Sequence, residues 1–325
     1  VKFQNDSWLQ AGHFWGAAGQ TELGCTVLVK GTYEIGSGGQ LTPATENPWP
    51  VHLQQLETPY GTFPADNPMR KPRIDVIVLG MARAPRGTTV QTLDLSLQVG
   101  DFSHRLQVFG DRRWERQDDA YVATAPAPFS ELPLLYDNAF GGKVQTEWGE
   151  LANQFNPAGK GICFDRDRAR GVPLPNIEDP AQPVSDPLDR PRPVGWAPYP
   201  QDGGLRLAQF ARLGPDGPEP APDSEIEHLV MNWAHPDLMI APVGPGTPVR
   251  VDGITPDGPL ATTLPPFPGL VRLHNGEERR ELPAGLDTII ILGEERRLVL
   301  RWRAATTFQM RPRERRWLTL DERSG

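Results

Sequence analysis

Apolar residues along this chain recur mostly at every second position in short runs, and turn-forming residues bound each run. That period belongs to half-buried strands rather than to helices. LGCTVLVKGTYEI predicts a first strong strand over 23–35, followed by a glycine-rich turn at 36–39. RIDVIVLGMA predicts a second strand over 73–82. Segments 89–99 and 102–109 predict a hairpin, because Gly100-Asp101 suits a two-residue loop. Leu93, Leu95, Leu97 and Val99 share one face of it, and Leu106 and Val108 share one face of the partner strand. His104, in the same strand, is expected to face solvent. Strand signals return at 248–253, 260–264 and 270–274, and the chain closes on a clearer pair at 286–292 and 298–302, with Glu294 and Glu295 in the turn.

Between 110 and about 247 the period fades and proline recurs every few residues. A structureless loop of that length is abnormal in a compact domain. Trp114, Phe129, Tyr136, Phe140, Trp148, Phe155, Trp196, Tyr199 and Trp233 punctuate it, and such rings anchor a coil to a sheet surface. An ordered coil is therefore expected, with short helices near 137–140 and 205–211 and a mobile section at 214–224. At its centre lies LPNIEDP, 174–180. Pro175 and Pro180 restrict the flanking backbone, and Asn176 and Asp179 suit Asx-type turns that bond neighbouring backbone. The fold class that follows is mainly β, built of antiparallel sheets with a long ordered Pro/Gly-rich coil. Two apposed β-sandwich-like lobes fit it. A single domain over 1–325 is expected, divided into an N-terminal β lobe (1–114), the coil (115–247) and a C-terminal β lobe (248–325).

Composition adds to this picture at a few points. The 36 prolines and 33 glycines match the coil, while nine tryptophans argue against wholesale disorder. A formal net charge of -8 speaks against a nonspecific nucleic-acid binder, and the basic run 311–316 is expected to be a solvated surface strand or tail. Cys25 and Cys163 are too few for a disulfide framework and are expected to be buried thiols. With no apolar leader and no run of membrane-spanning length, membrane insertion is not expected and a cytoplasmic location is.

Recognised catalytic signatures are missing. The chain has no nucleophile elbow, P-loop, dinucleotide fingerprint or HExxH pair. His228, His235 and Asp237 lack a metal-site spacing, and turn capping within NWAHPDL is the better role for them. Glu178 and Asp179 are adjacent in a proline-bounded turn, so they are expected to fix the coil and not to form a catalytic pair. Gly141-Gly142 suits either an anion-binding nest or a tight turn beside an aromatic plug of Tyr136 and Phe140, and the turn is favoured. In Gly110-Asp111-Arg112-Arg113-Trp114, an arginine is expected to pair with a carboxylate of the coil or to stack on Trp114. No catalytic residue, cofactor or metal is expected.

Several of these segments together resemble the DUF2169 family of bacterial proteins found with type VI secretion systems. They are VLVKGTYEI (27–35), KPRIDVIVLGMARAPRG (71–87), LQVFGDRRW (106–114), LPLLYDNAFGG (132–142), NPAGKG (156–161), LPNIEDP (174–180), LDTIIIL (286–292) and LVLRWRA (298–304). The resemblance implies an accessory adaptor or chaperone that binds a protein effector, including effectors of the PAAR-containing kind, and helps load it onto the VgrG-type spike. It carries no catalytic residues over. The positions it marks as motif or partner-surface candidates are Lys71, Asp75, Asp111, Arg112, Trp114, Phe140, Gly141, Gly142, Asn156, Asn176, Glu178 and Asp179. One departure is plain. The family commonly has a Glu-Arg-Ala-Phe-Gly-Gly type motif where this chain has Tyr136-Asp137-Asn138-Ala139-Phe140-Gly141-Gly142, so an arginine is lost. The alternatives are a hydrolase or carbohydrate-active enzyme on β lobes, which a deep pocket with converging Asp, Glu and His would reveal, and a structural component of the secretion apparatus.

Overall fold

Strands rich in Val, Ile, Leu and Thr pair, mostly antiparallel, into three larger sheets. The structure is a computed structural model that describes residues 2–147, 149–199, 212–214, 217–219, 231–309 and 315–323. Its central sheet runs, in spatial order, Gln10–Ala17, Glu22–Ile35, Arg297–Gln309, Ala284–Leu292, Ile74–Leu79 and Met239–Ile240, with Leu41–Pro43 also paired to Glu22–Ile35. A second sheet runs Ile177–Glu178, Phe102–Phe109, Thr92–Val99, Pro248–Asp252 and Leu260–Thr263. The third runs Lys2–Asp6, Arg316–Glu322, Gly269–Asn275 and Glu278–Leu282. Each sheet mixes strands of the 1–114 and 248–325 segments, so what stack here are sheets and not consecutive stretches of chain. Helix is confined, among the described residues, to the single 3-10 turns Tyr136–Asn138, Arg166–Arg168 and Pro236–Leu238.

Two packed interfaces follow. Leu95, Leu97, Val99, Leu106 and Val108 of the second sheet join Ile289, Ile290, Leu298 and Leu300 of the central sheet in one core. Cys25, Val27, Val29 and Ala304 of the central sheet pack with Val271, Leu273, Leu318 and Leu320 of the third in another. Ile74–Leu79 is buried at all six positions, as expected of a strand covered on both faces. It lies parallel to Ala284–Leu292, a pairing no tight turn can make, and the coil and the second sheet are built in the long excursion between them.

The expected hairpin forms with Phe102 opposite Val99, and Gly100 takes a positive φ of 58° in its loop. The strand expected over 73–82 breaks at Gly80, leaving Ile74–Leu79 and Met81–Arg83. Lys2–Asp6, Gln10–Ala17, Glu278–Leu282 and Arg316–Glu322 are strands that the alternation did not announce. Of the basic run 311–316, Arg316 opens the last of these and 311–314 lie outside the described residues. His104 corrects the expectation of a solvent-facing ring. It lies opposite Leu97 and accepts a hydrogen bond at Nδ1 from Trp196 Nε1 at 3.0 Å, half-buried under a coil that alternation in its own strand cannot foresee. The coil is ordered where described, with Trp114, Tyr136, Phe140, Trp196, Tyr199 and Trp233 all buried. Its expected helix near 137–140 is the 3-10 turn Tyr136–Asn138. The helix expected at 205–211 and Trp148 lie outside the described residues. So does most of 214–224, whose described part belongs to the small hairpin Arg212–Gly214 and Gly217–Glu219. Cys25 and Cys163 are buried and unpaired.

Candidate functional site

Four charged residues interrupt otherwise apolar strands: Lys30, Asp75, Asp287 and Arg301. Register brings them into one row. Lys30 lies opposite Arg301, Arg301 opposite Thr288, and Thr288 opposite Asp75, while a bulge between Leu286 and Thr288 sets Asp287 beside Arg301. Asp66 and Lys71 enter the row from the segment that precedes Ile74–Leu79. Arg301 donates to both oxygens of Asp287 (2.7 and 3.1 Å) and to Asp66 (3.0 Å). Lys30 Nζ donates to Asp66 at 2.6 Å and to the Pro50 carbonyl at 3.0 Å. Lys71 donates to Asp75 and to Thr288 Oγ1. Asp75 also accepts from Asn232 Nδ2 and from the amides of Trp233 and Ala234. The Trp233 ring lies 3.7 Å from the Lys71 ammonium and 4.3 Å from the Arg301 guanidinium.

Three cations thus face three carboxylates, all buried. Burial raises the carboxyls of Asp66 and Asp287, but Lys30 and Arg301 at the first and Arg301 and Lys71 at the second outweigh it and hold both below the usual carboxylate range. Burial lowers Lys30 and Lys71 to about 8. At Arg301 burial opposes the charge, and Asp287 and then Asp66 override it. A self-neutralised row of this kind ties the 66–75 segment and the Asn232–Ala234 stretch to the sheet. It also places Lys71 and Asp75, candidates for a partner surface, inside the molecule, because their charges are balanced there and not at the surface.

The other candidate positions gather in the coil. Gly110 passes so close to Ala127 that a Cβ would stand 1.7 Å from its carbonyl oxygen. That approach sets the direction of Asp111 and Arg112. Arg112 Nη2 donates to Glu178 Oε1 and to the Pro175 carbonyl, and its guanidinium lies 3.6 Å from the Phe109 ring. The expected arginine–carboxylate pair forms, and the stacking partner is Phe109 and not Trp114. Glu178 Oε2 accepts from the Val184 amide at 3.0 Å. Asn176 Nδ2 donates to the Phe109 carbonyl (2.9 Å) and Asp111 Oδ1 (3.1 Å), and Asn176 Oδ1 accepts from Lys160 Nζ (2.6 Å). These partners are distant in sequence, so the local turn expected for Asn176 gives way to a bridge. Asp179 does form the local turn, accepting from the Ala181 amide at 2.8 Å. Glu178 and Asp179 are therefore separately engaged.

Trp114 and Phe140 are buried with Ile162, Cys163 and Leu174 in a small core of their own. Asn156 Nδ2 donates to the carbonyls of Tyr136 and Phe140, and the Asn156 carbonyl accepts from Gly142. At Gly141 a Cβ would stand 2.1 Å from that carbonyl. The glycine pair is thus a close-packed backbone crossing, with the Gly142 amide already bonded. His235 Nδ1 accepts from the Asp237 amide at 3.2 Å and caps the turn Pro236–Leu238, whereas His228 lies outside the described residues.

Two concavities flank this coil. Asp111, Arg112, Arg113, Lys160, Pro173 and Leu174 line an open hollow of about 730 Å³. A cleft of about 310 Å³ is walled by Tyr60, Tyr136, Tyr199, Pro64 and Pro198, with Asp137 at its rim. Farther off, Gln10–Ala17 is the outermost strand of the central sheet and pairs on one side only among the described residues. It is half-buried through Trp15, whose ring meets Phe308 edge-on at 5.7 Å, and its His13 lies 5.2 Å from Phe3. Asp66, Asp287, Arg301, Lys160 and Trp233 were not singled out from the sequence as site residues. For Asp287 and Arg301 the signal existed, a charge inside an apolar run, and Lys160 stands within NPAGKG; for Asp66, in coil, there was none.

The sequence profile of DUF2169, described as an uncharacterized protein conserved in bacteria, matches residues 20–303. No curated protein and no solved structure matches the chain.

Proposed function

The chain belongs to the DUF2169 family, and on that premise we propose that it is a protein-binding accessory factor, an adaptor or chaperone that holds a type VI secretion effector and helps its loading onto the PAAR/VgrG spike. The observation that carries the reading is the open outer edge of Gln10–Ala17. An unpaired edge offers a row of backbone donors and acceptors to an extended chain, and natural proteins usually blunt such edges. This one is eight residues long and bears aromatic side chains instead of lysines or prolines. Binding of that kind is passive and uses no nucleotide. The cytoplasm, where effectors are made, is the compartment this role requires. The tyrosine- and proline-walled cleft, with one carboxylate among its described lining residues, suits binding better than glycoside hydrolysis, which uses two carboxylates across the substrate.

Co-expression with the effector encoded beside it is expected to give a co-purifying complex. A photo-crosslinking residue at Gly16, where an added side chain meets nothing within 4 Å, is expected to capture the effector. The same residue at Gly285, equally open but on another strand, is expected not to. Absence of a complex, together with normal effector abundance and secretion when the gene is deleted, would sink the proposal.

A further inference from the structure

Three sequence segments that the adaptor reading leaves without a task, GDRRW, NPAGKG and the start of LPNIEDP, converge on the hollow described above. Their donors are incompletely used. Arg112 keeps only 8% of its side chain exposed, yet all its bonds run through Nη2, and its buried Nε has no partner. Lys160 spends one of its three ammonium protons, on Asn176. Arg113 is open to solvent, with Glu115 at a loose 3.7 Å. On the anionic side Asp111 accepts from Asn176, and Glu178 is buried behind Arg112. Pro173, Ala125 and Ala127, all exposed, supply an apolar wall beside these cations.

We propose that this hollow is a carboxylate-binding site, which takes the carboxylate of an extended peptide against Arg112, Arg113 and Lys160 with its hydrocarbon part on Pro173, Ala125 and Ala127. A guanidinium presents paired N–H donors that match a planar carboxylate, and an ammonium beside it adds a point charge. The volume suits a few residues and not a folded domain. The bridge Lys160–Asn176–Asp111 fixes the site before any ligand arrives, so little ordering is spent on binding. Two sources share this chemistry, acidic side chains and a chain's C-terminus.

The test uses the full chain and four short peptides in calorimetric titration at low salt. N-acetyl-tetraglutamate amide carries side-chain carboxylates only, and N-acetyl-trialanine carries a terminal one only; tetraglutamine and trialanine amides are the neutral controls. Saturable binding of at least one carboxylate peptide is expected, with none for the neutral ones, and which of the two binds names the source. Arg113→Glu, at an exposed position, and Lys160→Met are each expected to weaken that binding by roughly tenfold or more, and added salt to weaken it further. No saturable binding of either carboxylate peptide, equal binding of the neutral controls, or unchanged affinity in both variants would overturn the site. Because no effector is present, the adaptor proposal stands or falls separately.

Discussion

Asp75 shows how much of this fold hangs on single side chains. Its fully buried carboxylate answers Lys71, Asn232 and two backbone amides. Replacing it by alanine leaves the Lys71 charge buried and those donors unpaired, which is expected to cost about 3–5 kcal/mol. Urea denaturation would read that as a lower midpoint at unchanged slope. Adding Lys71→Met to Asp75→Asn removes the stranded charge, so the double variant is expected to be less destabilised than the sum of the singles. Additive losses would mean that the two residues do not act as a pair. His235 gives the matching prediction in pH. Burial pushes its imidazole down to about 4, so the folded protein stays neutral there while the unfolded chain takes up a proton near 6.5. Between those values the unfolded state binds more protons, and stability must fall as pH falls from 6.5 toward 4, by up to about 1.4 kcal/mol per pH unit for one proton. His235→Asn keeps a capping acceptor and removes the titration. Its stability curve is expected to be flatter over that window, and an unchanged slope would assign the effect to the other histidines that burial lowers, His13, His52, His104 and His274.

Among elements, the coil owes its shape to backbone crossings as much as to side chains. Gly110→Ala would drive a methyl into the Ala127 carbonyl, and a loss of more than about 2 kcal/mol is expected in thermal denaturation. Gly16→Ala, on the open edge strand, meets nothing and is expected to stay within about 0.5 kcal/mol of the parent. Equal effects would mean that the crossing at Gly110 relaxes freely. The same contrast explains what could be read in advance. The Thr92–Val99 and Phe102–Phe109 hairpin was legible because its alternation and its Gly100-Asp101 loop are local and agree. Order in the coil was legible from its aromatic residues. Asn176 was not, because its partners Phe109 and Asp111 stand more than sixty residues away and nothing local competes visibly with an Asx turn. Gln10–Ala17 was not, because QAGHFWGA mixes glycine and alanine with rings and pairs only through the long strand beside it. The buried row was half legible: a charge inside VLVKGTY or LVLRWRA marks a position that must be paired, but the register that names its partner is a property of three strands together.

Across the whole molecule, closure depends on strands far apart in sequence. Lys2–Asp6 lies parallel to Arg316–Glu322, which in turn pairs with Gly269–Asn275, so Arg316–Glu322 has a neighbour on each side. It brings Leu318 and Leu320 down onto Cys25, Val27 and Val29 of the central sheet. Removing residues 315–325 therefore leaves Lys2–Asp6 unpaired, takes from Gly269–Asn275 one of its two neighbours, and uncovers part of one face of that sheet. Cys25 is a built-in reporter of that face, being 1% exposed with a thiol that burial pushes up to about 12. The thiolate is the reactive form, so both accessibility and ionisation protect it. In a Cys163→Ala background, which leaves Cys25 as the sole thiol, the full chain is expected to resist an aromatic disulfide reagent near pH 8 unless denaturant is added. The truncated chain is expected to react within about tenfold of the rate of a free thiol, whose ordinary pKa is about 8.5. A truncated chain that protects Cys25 as well as the full one would show that the central sheet holds this face closed without the third sheet, and that the parallel pairing of Lys2–Asp6 with Arg316–Glu322 is an addition to the core and not a condition of it.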